Sequence, residues 1–402
     1  MPRILDLYSG MGGLSLGFAL ALRDAQITGL DIDEDAVATY NLNLSRFGAR
    51  ARVQDVLAWE PSGEYDIIVG GSPCQPFSIA NSKNPGTDHP LFPTLSKYFD
   101  VVLALKPKLF LLENVKGLTT RRHRVFLERE LARASRDYVI AWRVLNTADY
   151  GVPQRRERMI AIGVRRDLGL RPRYPAPTHS ERPRVGLDGR RLHRWLTLGE
   201  AIGDLLAAVP AESPQEARLV VLRREQAEEI RRKRENPRLH GFWGRMDFPD
   251  RLDEPSRTIS SFTVEGARRE TIVVPAAPGG VSSIENNWSV KVVGLDRPAY
   301  TITTKSRLLV PVPGASPGVY RRLTVRECLR IQGFPDWWRF PAGVSLSEKH
   351  KLIGDVVPPV FAYKLAVAVA GILGLGTREP PREDEWALPY FRRAFAEYFS
   401  SA

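Results

Sequence analysis

The segment ILDLYSGMGGLSLGFALAL, residues 4–22, decides the fold. Ile4 to Tyr8 reads as a short apolar strand and Leu14 to Leu22 as a helix, with Gly10, Gly12 and Gly13 in the turn between them. Strand, glycine turn and helix form the opening unit of a doubly wound α/β sheet. Glycines let the backbone crowd against a ligand, and the helix presents its N-terminus to negative charge. Taken alone, such a turn is as often merely tight. A pyrophosphate loop would need a glycine at 15, where Ser15 stands, so a dinucleotide reading weakens.

The same alternation continues downstream. Ile27 to Leu30 reads as a strand, Glu34 to Arg46 as a helix, and Asp66 to Val69 and Leu109 to Leu112 as buried strands with a helix over Leu95 to Leu105 between them. Ala141 to Leu145 and Arg158 to Gly163 complete a mostly parallel sheet, whose ligands belong at the C-terminal strand ends. Near Arg171 the texture changes to Arg, Gly and Pro with short strands. Residues 1–172, completed by 341–402, are expected to form the catalytic and cofactor-binding domain, and 173–340 a smaller, mainly β or irregular one. Within the latter, Pro214 to Glu235 reads as a charged helix, and a weak echo sets Thr258-Ile259 against Thr301-Ile302. Helix returns from Lys349 to Leu373, and Phe391, Phe395 and Tyr398 share helical spacing in a packing patch.

Composition narrows the partners. Lys and Arg number 58 against 46 Asp and Glu, a net charge of +12 that favours polyanions, nucleic acid first. No leader or membrane-length apolar run is visible, so a cytoplasmic location is expected. Two unpaired-looking cysteines, Cys74 and Cys328, argue against a disulfide framework or zinc cluster, and no metal is expected.

Acidic residues fall at successive strand ends. Asp31, followed by Ile32, is placed for ribose hydroxyls, and Asp55, followed by Val56, for an exocyclic amine. Each alone would more often be a cap or a surface charge; together they suit a nucleoside. Beyond the next strand, GGSPCQPFS at 70–78 sets Cys74 between Pro73 and Gln75, in a loop rather than a core run. Most free cysteines are inert core residues, which is the reading for Cys328; a strand-end loop is where a nucleophile belongs. Glu113, in ENV at 113–115, ends an apolar strand, where desolvation would raise its pKa and suit it to donate a proton. In QRRER, at 154–158, alternation sets Gln154, Arg156 and Arg158 toward that site and Arg155 and Glu157 away from it.

These motifs, in this order, resemble the DNA cytosine-5 methyltransferases of prokaryotic restriction-modification systems, and RLTVRECLRIQGFP at 322–335 and GDVVPP at 354–359 extend the resemblance along nearly the whole chain. It implies a Rossmann-like fold and a methyl donor, S-adenosylmethionine, held by Tyr8, Gly10, Gly12, Gly13, Leu14, Asp31, Ile32, Asp55, Val56, Pro73, Asp355 and Val356. It also implies that Cys74, Glu113, Arg156 and Arg158 act on a cytosine flipped from double-stranded DNA, and that 173–340 is a target-recognition domain. Gln75, Ser78, Thr258, Ile259, Thr301 and Ile302 are the expected DNA contacts, and the loop from Ser78 to Pro90 a lid. A monomer is expected, with a restriction endonuclease acting on the same DNA site without binding the protein. Two departures stand out, Tyr8 where Phe is usual and Asp355 where Asn is usual. A tRNA cytosine-5 methyltransferase is the nearest alternative, but neither cysteine is followed by its Phe-Thr signature; a catalytically silent DNA-binding homologue is the other, although Cys74 and Glu113 are both present.

Overall fold

In β1 (Arg3–Leu7) alternate side chains enter different cores: Ile4 belongs to one buried cluster, Leu5 and Leu7 to the other. Later strands repeat the division, with Ile67 and Val69 in the first cluster and Ile68 in the second, then Leu109 and Leu111 against Phe110 and Leu112. A strand apolar on both faces requires cover on both sides, the condition for a sheet between two helical layers. The computed structural model describes residues 1–77, 89–182, 184–186, 189, 191–208, 319–378 and 380–399, with short stretches at 219–221, 272–273, 283–284, 291–292, 298–299, 302 and 308–311.

The elements run β1, α1 (Gly13–Ala21), β2 (Gln26–Asp31), α2 (Glu34–Leu44), β3 (Ala49–Val53), β4 (Ile67–Gly71), α3 (Pro93–Leu105), β5 (Leu109–Val115), α4 (Arg124–Ala134), β6 (Tyr138–Asn146) and β7 (Glu157–Arg165). The sheet order is β3-β2-β1-β4-β5-β7-β6. Strands β1 to β5 are parallel, and β7 runs antiparallel to both β5 and β6. Strand order reverses between β1 and β4, and a cleft is expected at such a switch point.

Beyond the sheet lie α5 (Leu198–Ile202), α6 (Val325–Ile331), α7 (Leu346–Asp355) and α8 (Pro359–Leu373). The single helix expected from Lys349 to Leu373 is two helices, because Pro358 and Pro359 interrupt the backbone ladder and Pro359 starts the second. By length and composition Leu346–Leu373 could cross a membrane, but 78% of its most apolar window is buried in the protein. It is a core element, and α8 packs along α1. The same core takes in Leu196, Leu198, Ile202, Leu323, Leu329, Phe334 and Trp338, so both flanks of the 173–340 stretch are seated on the sheet domain. The C-terminal patch is buried there too: Phe395 meets Tyr363 edge-on at 5.3 Å and Trp386 at 5.0 Å.

Within the 173–340 stretch, Leu219–Val221, Lys291–Val292, Leu308–Pro311 and Val319–Arg322 make a four-stranded sheet. The charged helix expected over 214–235 is therefore wrong at Leu219–Val221, where an apolar triplet with two β-branched valines pairs antiparallel with Val319–Arg321. The remainder of that run, like Thr258, Ile259, Thr301 and the stretch from Ser78 to Asp88, lies outside the described residues.

Candidate active site

Register brings the reactive side chains to one edge of the sheet. Parallel pairing sets Glu113 beside Gly71, and antiparallel pairing sets Ile160 beside Glu113 and Arg158 beside Val115. Residues opposite one another share a face, and so do alternate residues along a strand. Glu113 therefore projects over a residue with no side chain: a Cβ at Gly71 would lie 2.9 Å from Glu113 Oε2. Arg158 reaches the same spot from β7, with Nε 2.8 Å from Glu113 Oε1. Both side chains are only 9% exposed, and among the described residues Oε1 is ion-paired to Arg158 but accepts no well-aligned hydrogen bond. The strand-end reading found the burial of Glu113 but not the opposite charge alongside it.

Cys74 follows β4 in a loop clamped at both ends. Asn114 Nδ2 donates to Ser72 O at 3.0 Å and to Ser72 Oγ at 2.9 Å, and Phe77 N donates to Cys74 O at 3.0 Å. Phe77 is fully buried against Phe92 and the edge of His123, each at 5.8 Å. These contacts anchor the turn while Cys74 stays half-buried and Gln75 exposed. Arg156 completes the group. It is 2% exposed, and its Nη1 donates to Gly354 O at 3.0 Å and Ile302 O at 3.2 Å, tying the site to the end of α7.

The electrostatics follow from confinement. Burial pushes the Cys74 thiol up to about 11; the negative charges of Asp355 and Glu113 push the same way, and Arg158 and Arg156 oppose them. Burial, then the charge of Arg158, pulls Arg156 down to about 9. Asp355, at the end of α7, is exposed; desolvation by the chain around it lifts its carboxyl to about 6, against the charges of Arg156 and Lys351.

The other half of the edge is built largely from backbone. Tyr8 holds a left-handed φ of 58°, unusual for a residue with a side chain, and its hydroxyl donates to Thr94 O at 3.0 Å. Gly10 (φ 52°) and Gly12 (φ 96°) continue the turn, and Gly10 N donates to Asp31 Oδ2 at 2.7 Å. Asp31 Oδ1 accepts from Asp33 N at 3.0 Å, and Asp55 Oδ1 from Leu57 N at 2.8 Å. Ile32, 67% exposed, offers an apolar surface beside these acids, and Pro73 is half-buried. Asp33 has a structural task, capping α2 through Ala36 N and pairing with Lys351 at 2.8 Å. Ser15 has another: it donates to buried Asp6 at 2.6 Å and accepts from Tyr40 at 2.8 Å.

Several expected site residues sit differently. Leu14, Val56 and Val356 are almost wholly buried, and a Cβ on Gly13 would collide with Val356 and the carbonyl of Val357, so this glycine serves close packing. Gln154 does not join Arg156 and Arg158. Its Nε2 donates to Gln332 Oε1 at 3.0 Å, and Gln332 Nε2 in turn donates to Ile353 O at 2.6 Å, because the strand begins only at Glu157. Ile302 has no exposed surface with which to touch DNA: its side chain fills the core and its carbonyl holds Arg156. Asn114, Gly71 and Gly354 are the contributors that motif reading did not assign. All three lie inside the motifs, but their use depends on which strands and helices become neighbours.

A family model for C-5 cytosine-specific DNA methylases matches residues 2–370. The type II methyltransferase M.XorII of Xanthomonas oryzae is 33% identical over 399 residues, covering 95% of this chain and 87% of that protein. The type II methyltransferase M.MthTI of Methanothermobacter thermautotrophicus is 32% identical, covering 90% of this chain and 95% of its own. The crystal structure of the S. pombe Dnmt2 methyltransferase shares the fold, with a TM-score of 0.55 at 15% identity over 93% of this chain and 99% of that one. With the sheet, its charged edge and a match running along most of its length, the chain belongs to the C-5 cytosine-specific DNA methylases and is a DNA cytosine-5 methyltransferase.

Proposed function

We propose that the protein methylates a cytosine flipped out of double-stranded DNA, through a transient bond between Cys74 Sγ and C6, with S-adenosylmethionine as the methyl donor. The observation that carries this reading is the meeting of Cys74, Glu113, Arg156 and Arg158 at the ends of neighbouring strands, with the buried Glu113 carboxyl held 2.8 Å from the Arg158 guanidinium.

C5 of neutral cytosine is a poor nucleophile. Attack of the Cys74 sulfur on C6, while the Glu113 carboxyl hydrogen-bonds or protonates N3, makes C5 enamine-like. Arg158 orients Glu113, and with Arg156 it stabilises charge growing toward O2 of the ring. After methyl transfer, loss of the C5 proton and departure of the sulfur restore the aromatic base. These atoms are inaccessible in a stacked duplex, so the base is extruded at a cost of a few kcal/mol. The donor supplies an activated methyl group on sulfur. Residues at the ends of β1 to β4 fit its nucleoside: Asp31 and Asp55 for polar edges, Ile32 and Pro73 for the ring faces, Tyr8 and Gly10 for the open turn.

Residues 1–172 with 341–402 are proposed to carry out this chemistry, and 173–340 to recognise the DNA sequence, Thr258-Ile259 and Gln75 among the contacts. Type II relatives at this identity support pairing in the cell with an endonuclease of the same specificity. Incubation with labelled donor and either duplex DNA or tRNA, followed by nucleoside mass spectrometry, is expected to give 5-methylcytosine in DNA. Label in tRNA alone, or on an exocyclic nitrogen, would overturn the proposal.

A further inference from the structure

The last turn of a helix leaves carbonyls without intrahelical partners, and α7 ends without a left-handed glycine to cap it: its C-cap, Val356, is extended at φ −72° and ψ 152°. Two buried side chains satisfy those carbonyls instead. Gln332 Nε2 donates to Ile353 O at 2.6 Å, and Arg156 Nη1 donates to Gly354 O at 3.0 Å. Gln332, the residue that closes α6, is itself held: its Oε1 accepts from Gln154 Nε2 at 3.0 Å, and neither glutamine has any exposed surface. The orientation is forced. A carbonyl only accepts, so Gln332 turns its amide nitrogen to Ile353 and its oxygen to Gln154.

Together these contacts close a ring. Gln154 and Arg156 stand two residues apart, and both reach the end of α7, one through Gln332 and the other directly. The donor turn is held separately, because Val356 and the carbonyl of Val357 lie against Gly13 too closely to admit a Cβ.

We propose that Gln332 is a positioning residue for methyl transfer: its amide fixes the end of α7, and through Gly354 O it sets where Arg156 stands against the base. A leucine there would leave Ile353 O and Gln154 Nε2 buried without partners, and the helix end would shift to find others. A misplacement of about 1 Å in a reacting site costs up to about a hundredfold in rate. The inference rests on the reading of Arg156 as a group that acts on the base.

Steady-state kinetics on duplex DNA test it, at a temperature where circular dichroism shows each variant folded. Gln332→Leu is expected to lower kcat about tenfold and to leave the KM for donor and for duplex within about twofold. A residue that served the fold alone would lower Tm and leave kcat in place. Because Gln332 acts through Arg156, adding Gln332→Leu to Arg156→Ala should lower kcat by less than about twofold further. Gln154→Leu, which strands the Gln332 oxygen, should lower kcat about threefold and decides the matter if Gln332→Leu does not fold. Wild-type kcat in the deciding variant, or equal losses on the wild-type and Arg156→Ala backgrounds, would overturn the proposal. Wild-type kcat in Arg156→Ala would overturn the reading of Arg156 on which it rests, whereas a slow Arg156→Ala beside an unimpaired Gln332→Leu removes Gln332 alone.

Discussion

At the ends of β1, β2 and β3 the chain offers backbone amides, glycines and one exposed isoleucine, and its acids are already engaged by N–H groups. At the ends of β4, β5 and β7 it offers charged side chains packed against one another, with Glu113 and Arg158 both nearly out of water. A pocket lined by backbone keeps its shape when one side chain changes. A pocket made of mutually neutralising buried charges does not, because removing one partner strands the other. The two halves should therefore answer mutation in different currencies, donor affinity on one side and turnover on the other.

The largest contrast is at the reacting atom. Cys74→Ser should lower methyl transfer by more than about a thousandfold and leave duplex binding within a few-fold of wild type. Gel-shift and turnover assays on the same preparation check this, and a weak effect on turnover would remove Cys74 from the chemistry. Arg158→Ala should cost about a hundredfold in kcat and about 3 kcal/mol of stability through the stranded Glu113 carboxylate, measured by denaturant unfolding. Gly71→Ala sharpens the point without touching a charge. Its new Cβ would displace the Glu113 carboxyl, so kcat should fall about tenfold with the donor Kd unchanged. Across the cleft Ile32→Ser should do the reverse, weakening donor binding about tenfold through lost apolar cover while kcat at saturation holds.

Legibility in the sequence divides along the same line. β1, its glycine turn and α1 could be read directly, since apolar alternation and glycine spacing are local signals. Cys74 and Glu113 were legible as chemistry-bearing residues at strand ends. Arg155 and Glu157 do turn from the site, to Glu181 and Lys116. What the sequence withheld depends on which strands and helices become neighbours. Gly71 matters because β4 and β5 pair in one register, and Gly354 because its carbonyl, at the end of α7, meets Arg156. β3, Ala49–Val53, escaped reading because an edge strand with an arginine-bearing outer face has no apolar run. α4 was missed for a similar reason, since only Leu127, Glu130 and Ala134 of its residues are buried.

The smallest effect concerns stability. Burial raises the Asp6 carboxyl from 3.8 to about 7, so the folded protein holds that proton more tightly than the unfolded chain. Asp6 therefore opposes folding increasingly as pH rises through that window, and the penalty is complete above it. Asp6→Asn should raise Tm by a few degrees at pH 8 and by less at pH 5. Calorimetry at both pH values tests the sign.

The most direct test of the covalent chemistry uses duplex DNA carrying 5-fluorocytosine at the target position, since fluorine at C5 blocks the proton loss that frees the enzyme. After incubation with S-adenosylmethionine and digestion, mass spectrometry should find the methylated fluorocytosine bound to the peptide containing Cys74. Full methylation of ordinary substrate by an enzyme that leaves no such adduct, or an adduct on Cys328, would contradict it.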